Sequence, residues 1–404
     1  MTDTLKPRDA KEVEDAVRWA LSEDKPLEVR GQGSKRALGR PSQTDFTLDL
    51  SGLTGVTLYE PEELVLSAKA GTPIAEIEAL LDENNQQLGF EPMDYGPLLG
   101  QPAGQGTLGG VIATNLSGPR RIKSGAARDH FLGLSAVTGR AETIKSGGRV
   151  VKNVTGYDLC KLFAGSWGTL AAMTDITVKV LPKAEAEATV LVSGLDDARA
   201  CAAMAAAMGS AADVSGAAHV PDHVASWFDG LPKAEAATVL RLEGFAPSVA
   251  HRKQALADLM KTFGPVAILD EERSRALWRN VRQVKPFAAE QARERPLWRI
   301  STAPGRGHEI AAAITPAAQM FYDWAGGLIW VAMPFADEPG AAAIRAAVGA
   351  VGGHATLVRA PAAIRAATDV FEPEAPGIAA LSKRVKESFD PKGVLNPGRL
   401  WAGV

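Results

Sequence analysis

Two glycine-rich loops about seventy residues apart constrain this chain more than any other feature. The first reads Arg30-Gly-Gln-Gly-Ser-Lys35, and the second runs Gly104-Gln-Gly-Thr-Leu-Gly-Gly-Val-Ile-Ala-Thr-Asn115. Glycine lets a backbone turn sharply and approach a ligand with no Cβ in the way. Successive N–H groups in such a loop form a concave anion site. Two such loops in one domain suit a ligand with a diphosphate and a long body, and a dinucleotide is the leading candidate.

The first loop lacks the third glycine of the dinucleotide-fold fingerprint, because Arg36 stands there. The second contains Gly104-x-Gly106-x-x-Gly109, which matches the fingerprint literally. That fingerprint needs a strand before it, a helix after it and an acidic residue about twenty positions on. Gln101-Pro-Ala precedes it instead, and Asp129, at the right distance, does not end a clear strand. A nicotinamide Rossmann domain is therefore disfavoured. No Gly-x4-Gly-Lys-Ser/Thr loop occurs, which argues against an NTPase.

The surrounding pattern predicts a helix over 9–22, capped by Asp9 with Glu12 three residues on, then a strand at 27–30 feeding the first loop. Strands follow at 46–50, 55–59 and 64–70, and a helix begins at Thr72-Pro73 with Pro at its first position. A third block, Gly156 to Leu170, leads into a strand at 175–181, and Pro182 closes the unit. Beyond 183 the chain turns Ala-rich and alternates strands (188–193, 237–243, 265–269, 297–303, 327–334, 354–359) with helices (195–208, 247–263, 271–284, 305–313, 338–350). This pattern predicts an α+β domain with an antiparallel sheet. A last helix ends near Phe389, followed by Asp390-Pro-Lys-Gly-Val-Leu-Asn-Pro-Gly-Arg-Leu-Trp401 on an irregular path. The expected domains are 1–182, 183–375 and a returning segment, 376–404.

With 404 residues, 46% hydrophobic and 23% charged, the chain is of ordinary globular composition. A net charge of −3 lacks the basic excess of a nucleic-acid binder. The first residues carry no apolar run, and no apolar stretch reaches 18 residues, so neither a secretory signal nor a membrane span is expected. Two cysteines, Cys160 and Cys201, make no cluster or disulfide framework. A cytoplasmic location is expected, with attachment to the inner membrane face through partners left open.

Loop one, loop two and the Gly156–Leu181 block, in this order, resemble the FAD-binding domain of the vanillyl-alcohol-oxidase and p-cresol-methylhydroxylase superfamily. The terminal Phe389-Asp-Pro-x-Gly-Val-Leu-Asn-Pro-Gly-Arg399 is similar to the signature of its glycolate oxidase and D-lactate dehydrogenase branch. Gly118-Pro-Arg-Arg121 and Arg128-Asp-His-Phe-Leu-Gly133 resemble the FAD-binding E-subunit family of bacterial glycolate oxidases. The resemblance implies an α+β fold: a two-part FAD-binding domain of the p-cresol-methylhydroxylase type and an α+β cap domain. It places the FAD diphosphate on Gly31, Gln32, Gly33, Ser34 and Lys35. Thr107, Gly109 and Gly110 would lie beside the cofactor, with Thr114 and Asn115 nearby. Gly168 and the backbone of Ile176 would lie near the adenosine half. Asn396 is expected to hydrogen-bond the flavin ring or order its pocket, and Arg399 to stabilise negative charge there. The chain carries Trp167 where many relatives have Glu and Ala171 where they have Gly. Loop one has no His, and neither Cys falls in a corresponding loop, so FAD is expected to be non-covalent.

Oxidising a 2-hydroxy acid needs a cation for the carboxylate and a base or metal for the hydroxyl proton. The His-rich metal segment of many catalytic relatives is absent from this sequence, and no metal is expected. Arg299 and Arg359, on predicted strands, are candidate carboxylate anchors, and His354 is a candidate base. Two functions follow. One is an FAD subunit of a glycolate-oxidising complex, assembled with a sister FAD subunit and an iron–sulfur subunit. The other is a self-sufficient FAD-dependent oxidase of an alditol, aldonolactone or 2-hydroxy acid. A non-enzymatic, cofactor-free scaffold is a third.

Overall fold

The chain divides into two units, one made of 1–117, 125–182 and 369–404 and the other of 118–124 and 183–368. The computed structural model describes residues 3–149, 156–336 and 338–402.

The first unit starts from the helix Ala10–Ser22, whose first turn Asp9 caps by accepting the Glu12 N–H. Val13, Val17 and Ala20 form its buried stripe and pack with Leu27, Leu48, Leu50, Val137 and Leu395. A small parallel sheet orders Asp3–Leu5, Phe46–Asp49 and Leu27–Arg30, so the first glycine loop leaves from an edge strand. A five-stranded antiparallel sheet follows the order Val56–Glu60, Val65–Lys69, Ala171–Lys179, Phe131–Thr138, Thr143–Gly147. Its last two strands were not expected from the sequence, where Arg128–Gly133 stood out as a motif rather than as the entry to a strand. The helix expected from Thr72-Pro73 runs Ile74–Glu83, with Pro73 at the N-cap instead of the first helical position.

The C-terminal segment is part of this unit. After the helix Pro376–Phe389, the Leu27 N–H donates to the Val394 carbonyl (2.7 Å) and the Asn396 N–H to the Leu27 carbonyl (3.0 Å). The tail thus runs parallel beside the strand that delivers loop one. A buried ion pair fastens it: the Lys386 ammonium lies 2.6 Å from Asp390 and also donates to the Thr169 and Leu395 carbonyls. Asp390 in turn accepts the Val394 and Leu395 N–H groups. Burial pulls the Lys386 ammonium below its usual range, and Asp390 partly opposes this. A Cβ at Gly139 would lie 2.1 Å from the Asp390 carboxylate, so only glycine leaves it room.

The second unit is one eight-stranded antiparallel sheet with helices. Its order is Val266–Leu269, Ala186–Ser193, Ala237–Gly244, Gly216–Val220, Gln319–Asp323, Leu328–Ala332, Leu297–Ser301, His354–Arg359. The Ala-rich helix Asp197–Met208 approaches it closely through Ala200, Ala203, Met204 and Ala207. Gly216–Val220 and Gln319–Asp323 are central strands that the sequence reading missed. The first, Gly-Ala-Ala-His-Val, has little strand propensity of its own, and burial between its neighbours makes it a strand. Residues 118–124 join this unit through a bidentate Arg120–Glu243 pair and Ile122, which packs on the core.

Removing one partner of a buried pair strands the other charge, at a cost of about 3–5 kcal/mol. Asp390→Ala is expected to lower unfolding stability by about that amount in urea titrations followed by circular dichroism. A loss below about 1 kcal/mol would show that this pair does not fasten the tail.

Candidate cofactor-binding site

Loop one begins where the strand Leu27–Arg30 ends, and its geometry follows from what its backbone does not bond. Among the described residues, the N–H groups of Gln32, Gly33, Ser34 and Lys35 have no acceptor. Gly33 sits at φ 79°, in the left-handed region where glycine alone is unstrained. Gly31 must also be glycine, because a Cβ there would lie 2.6 Å from Thr107 Oγ1.

The second loop is different. The helix Leu108–Thr114 commits its first N–H groups inside the protein: Leu108 to the Thr72 carbonyl, Gly109 to the Ala70 carbonyl, and Gly110 to Thr107 Oγ1. It therefore presents a close-packed wall rather than a second anion nest. A Cβ on Gly109 would sit 2.9 Å from Ala70, and one on Gly110 would sit 3.3 Å from Lys35 Nζ.

The two loops face one cleft with about 810 Å³ of empty space, part of it open to solvent. Of the residues named from sequence, Gly31, Gln32, Gly33, Ser34, Lys35, Thr107, Gly109, Gly110, Thr114, Gly168, Asn396 and Arg399 all line it. Asn115 does not: it ends the helix in the left-handed region and accepts the Arg128 N–H. Ile176 does not either, being fully buried in a central strand and laddered between Ala68 and Leu134. Sequence reasoning missed Arg30, Trp167, Ala171 and Met173 as lining residues. Arg30 directly precedes the loop and could have been found there.

The lining carries four cations, Arg30, Lys35, Arg36 and Arg399, against one carboxylate, Glu28. Glu28 is committed to Arg36. Arg30 Nε is buried without an acceptor among the described residues. Lys35 is part-buried, forms no ion pair within 4 Å among the described residues, and has only Ser34 Oγ at 3.4 Å. Desolvation pushes its ammonium down to about 8, with the charge of Asp94 partly offsetting this.

Two roles were open for Asn396, bonding the ring or ordering its pocket. Its side-chain oxygen accepts the Val29 N–H (2.7 Å), and its amide donates to the Val29 and Trp167 carbonyls (3.2 and 2.8 Å). Both ends of the amide are engaged with backbone, so Asn396 orders the cleft instead of bonding a ring. Arg399 likewise donates to the Lys35 and Arg36 carbonyls.

The three catalytic candidates lie in the second unit. Arg359 is buried and donates to the Phe287, Ala292 and Arg295 carbonyls, so it clasps 287–295 and is not a carboxylate anchor. Burial lowers it to about 10. Arg299 lies on Leu297–Ser301, and His354 stands at the exposed start of His354–Arg359, opposite Ser301.

Burial of the Lys35 ammonium makes folding stability depend on pH. In the cofactor-free protein it falls from 10.5 unfolded to about 8 folded, so its penalty is complete below pH 8 and fades as pH rises toward 10.5. Lys35→Met should therefore be more stable than the parent at pH 7, with the gap closing by pH 10, in paired thermal melts. A gap independent of pH would contradict the assignment.

Comparison with known proteins agrees with this geometry. A family model described as "FAD binding domain" matches residues 4–147, and one described as "FAD linked oxidases, C-terminal domain" matches 372–400. Glycolate oxidase subunit GlcE of Escherichia coli is 33% identical over 393 residues, covering 96% of this chain and 95% of that protein. Glycolate oxidase subunit GlcD of Bacillus subtilis is 29% identical over 188 residues, 46% of this chain and 38% of that protein. The structure of p-cresol methylhydroxylase matches with a TM-score of 0.70 at 13% identity, covering 98% of this chain and 88% of that one, and so shares the fold. The α+β architecture, the glycine cleft and the full-length match together place this chain in the family of FAD-linked oxidoreductases to which the glycolate oxidase subunit GlcE belongs.

Proposed function

We propose that this chain is an FAD-carrying subunit of a glycolate-oxidising complex. The observation that carries the reading is the run of four N–H groups without acceptors, Gln32 to Lys35, in a cleft with a three-charge cationic excess. That arrangement fits a diphosphate, and Gly31 and Gly109 let the walls of the cleft pack closely on Thr107 and Ala70. In this reading the loop-one N–H groups and Lys35 hold the diphosphate without a covalent link. Thr107, Gly109, Gly110, Thr114 and Gly168 shape the walls, while Asn396 and Arg399 keep loop one in position. FAD, when bound, supplies the hydride acceptor for oxidation of a CH–OH group.

A sister flavoprotein chain and an iron–sulfur chain are the proposed partners. The two cysteines of this chain are buried, with thiols pushed up to about 11, and cannot build a cluster themselves. No helix among the described residues is long and apolar enough to cross a membrane. We place the protein in the cytoplasm, with membrane attachment only through partners.

One observation favours the second reading, in which this chain itself oxidises a 2-hydroxy acid. The Arg299 side chain is half-buried yet makes no hydrogen bond or ion pair among the described residues, and the strand register sets His354 on its face of the sheet. Arg299 would hold a carboxylate and His354 would take the hydroxyl proton.

Purified protein should be yellow and release FAD on acid treatment. Gly33→Val should lose FAD while the far-ultraviolet circular dichroism stays unchanged, and undiminished FAD content would show that the diphosphate lies elsewhere. Anaerobic glycolate should bleach the flavin only once partner subunits are added. Rapid bleaching of the isolated chain would overturn the complex reading in favour of the second.

A further inference from the structure

Among the described residues that line the cofactor cleft, Trp167 carries the one aromatic ring. Its backbone is pinned on both sides. The Trp167 N–H donates to the Ala113 carbonyl (2.8 Å), and the Trp167 carbonyl accepts the Asn396 amide (2.8 Å). The residue also sits in the left-handed region, at φ 54°, a conformation that a bulky side chain adopts only where its surroundings enforce it.

That fixed ring is the first of three. Trp167 and Phe371 meet edge to face with ring centres 5.3 Å apart, and Phe371 meets Trp401 in the same way at 6.3 Å. All three residues belong to the first unit. Trp401 is held in turn by its indole N–H, which donates to the Glu372 carbonyl (3.1 Å). Neither Trp19–Phe46 nor Phe163–Phe389, two other ring pairs of this unit, includes a residue that lines the cleft.

The row ends at the surface. Trp401 lines a second cavity, with about 860 Å³ of empty space partly open to solvent, together with Asp369, Pro373, Ala379, Ala380 and Lys383. No residue lines both this cavity and the cofactor cleft, and the three rings bridge them. Electronic coupling between a donor and an acceptor decays steeply across gaps and less steeply through packed atoms. Ring centres at these separations are those of rings in contact.

We propose that Trp167, Phe371 and Trp401 form the route by which electrons leave reduced FAD for an acceptor at the Trp401 cavity. The inference rests on the reading of this chain as an FAD subunit that passes electrons to an iron–sulfur partner. Oxidation of a CH–OH group leaves two electrons on the flavin, and an iron–sulfur cluster takes them one at a time. Two successive one-electron reductions of the cluster reoxidise the flavin, and the protons gained with those electrons go to solvent. The rings couple the two centres and end unchanged. The two buried cysteines build no cluster in this chain, so the acceptor must reach the surface, and the cavity lets it approach the last ring.

Flash oxidation of a ruthenium label tests the route. A ruthenium tris-bipyridine complex is attached at Ala402→Cys, an exposed position on the second cavity, and the burial of Cys160 and Cys201 directs the label to the new thiol. The FAD-loaded chain is reduced with one equivalent of dithionite. A cobalt(III) quencher oxidises the photoexcited label, and flavin absorbance is followed as the label takes an electron back. Phe371→Leu and Trp401→Leu should each slow this step severalfold or more, whereas Phe371→Tyr, which keeps the ring, should stay near the parent rate. A label at Thr57→Cys, exposed on the strand Val56–Glu60, should give one rate in all of these chains. FAD content and far-ultraviolet circular dichroism should be unchanged throughout, since neither Phe371 nor Trp401 lines the cleft. Parental rates in both leucine variants, or equal slowing from the Thr57 position, would overturn the route and leave the FAD assignment standing. A parent chain that retains no FAD would overturn the cofactor reading, and this inference with it.

Discussion

One side chain holds the cofactor cleft together across 367 residues of sequence: the amide of Asn396, bonded to the backbone of Val29 and Trp167. Asparagine suits this place for two reasons. Its amide offers two donors and an acceptor in one plane, which an aspartate cannot. It also tolerates the left-handed backbone found there, at φ 44°. Loss of the amide would leave buried peptide groups without partners, at about 1–3 kcal/mol each. Arg399 extends the same support to the Lys35 and Arg36 carbonyls. The tail is thus structural at the site while remaining remote in sequence.

With this support in place, loop one can leave four N–H groups unbonded. The same scaffold keeps Lys35 desolvated, with no carboxylate within 4 Å among the described residues. The chain as a whole is acidic, at −3, yet this cleft is locally cationic. A low-dielectric cleft of one sign concentrates its field on an incoming anion.

Much of this was legible from the sequence because local chemistry dictates it. The helix Ala10–Ser22 announces itself through its Asp9 cap and its 3.6-residue stripe, and the glycine loops through residue type alone. Central strands such as Gly216–Val220 were not legible, since their neighbours rather than their own propensity make them strands. For Asn396 the sequence left two roles open, bonding the ring or ordering its pocket, and only the fold reveals that its partners are backbone. Ile176 and Asn115 do not line the cleft, since a β-ladder and a helix end engage them. Arg359 failed because three carbonyls converge on it, a convergence that no spacing in the sequence encodes.

An experimental structure of the FAD-bound protein tests the central claim most directly. The account predicts diphosphate oxygens within hydrogen-bond distance of the Gln32–Lys35 N–H groups, with the Asn396 amide still on Val29 and Trp167. A diphosphate seated away from loop one, or an Asn396 amide turned onto the flavin ring, would contradict it.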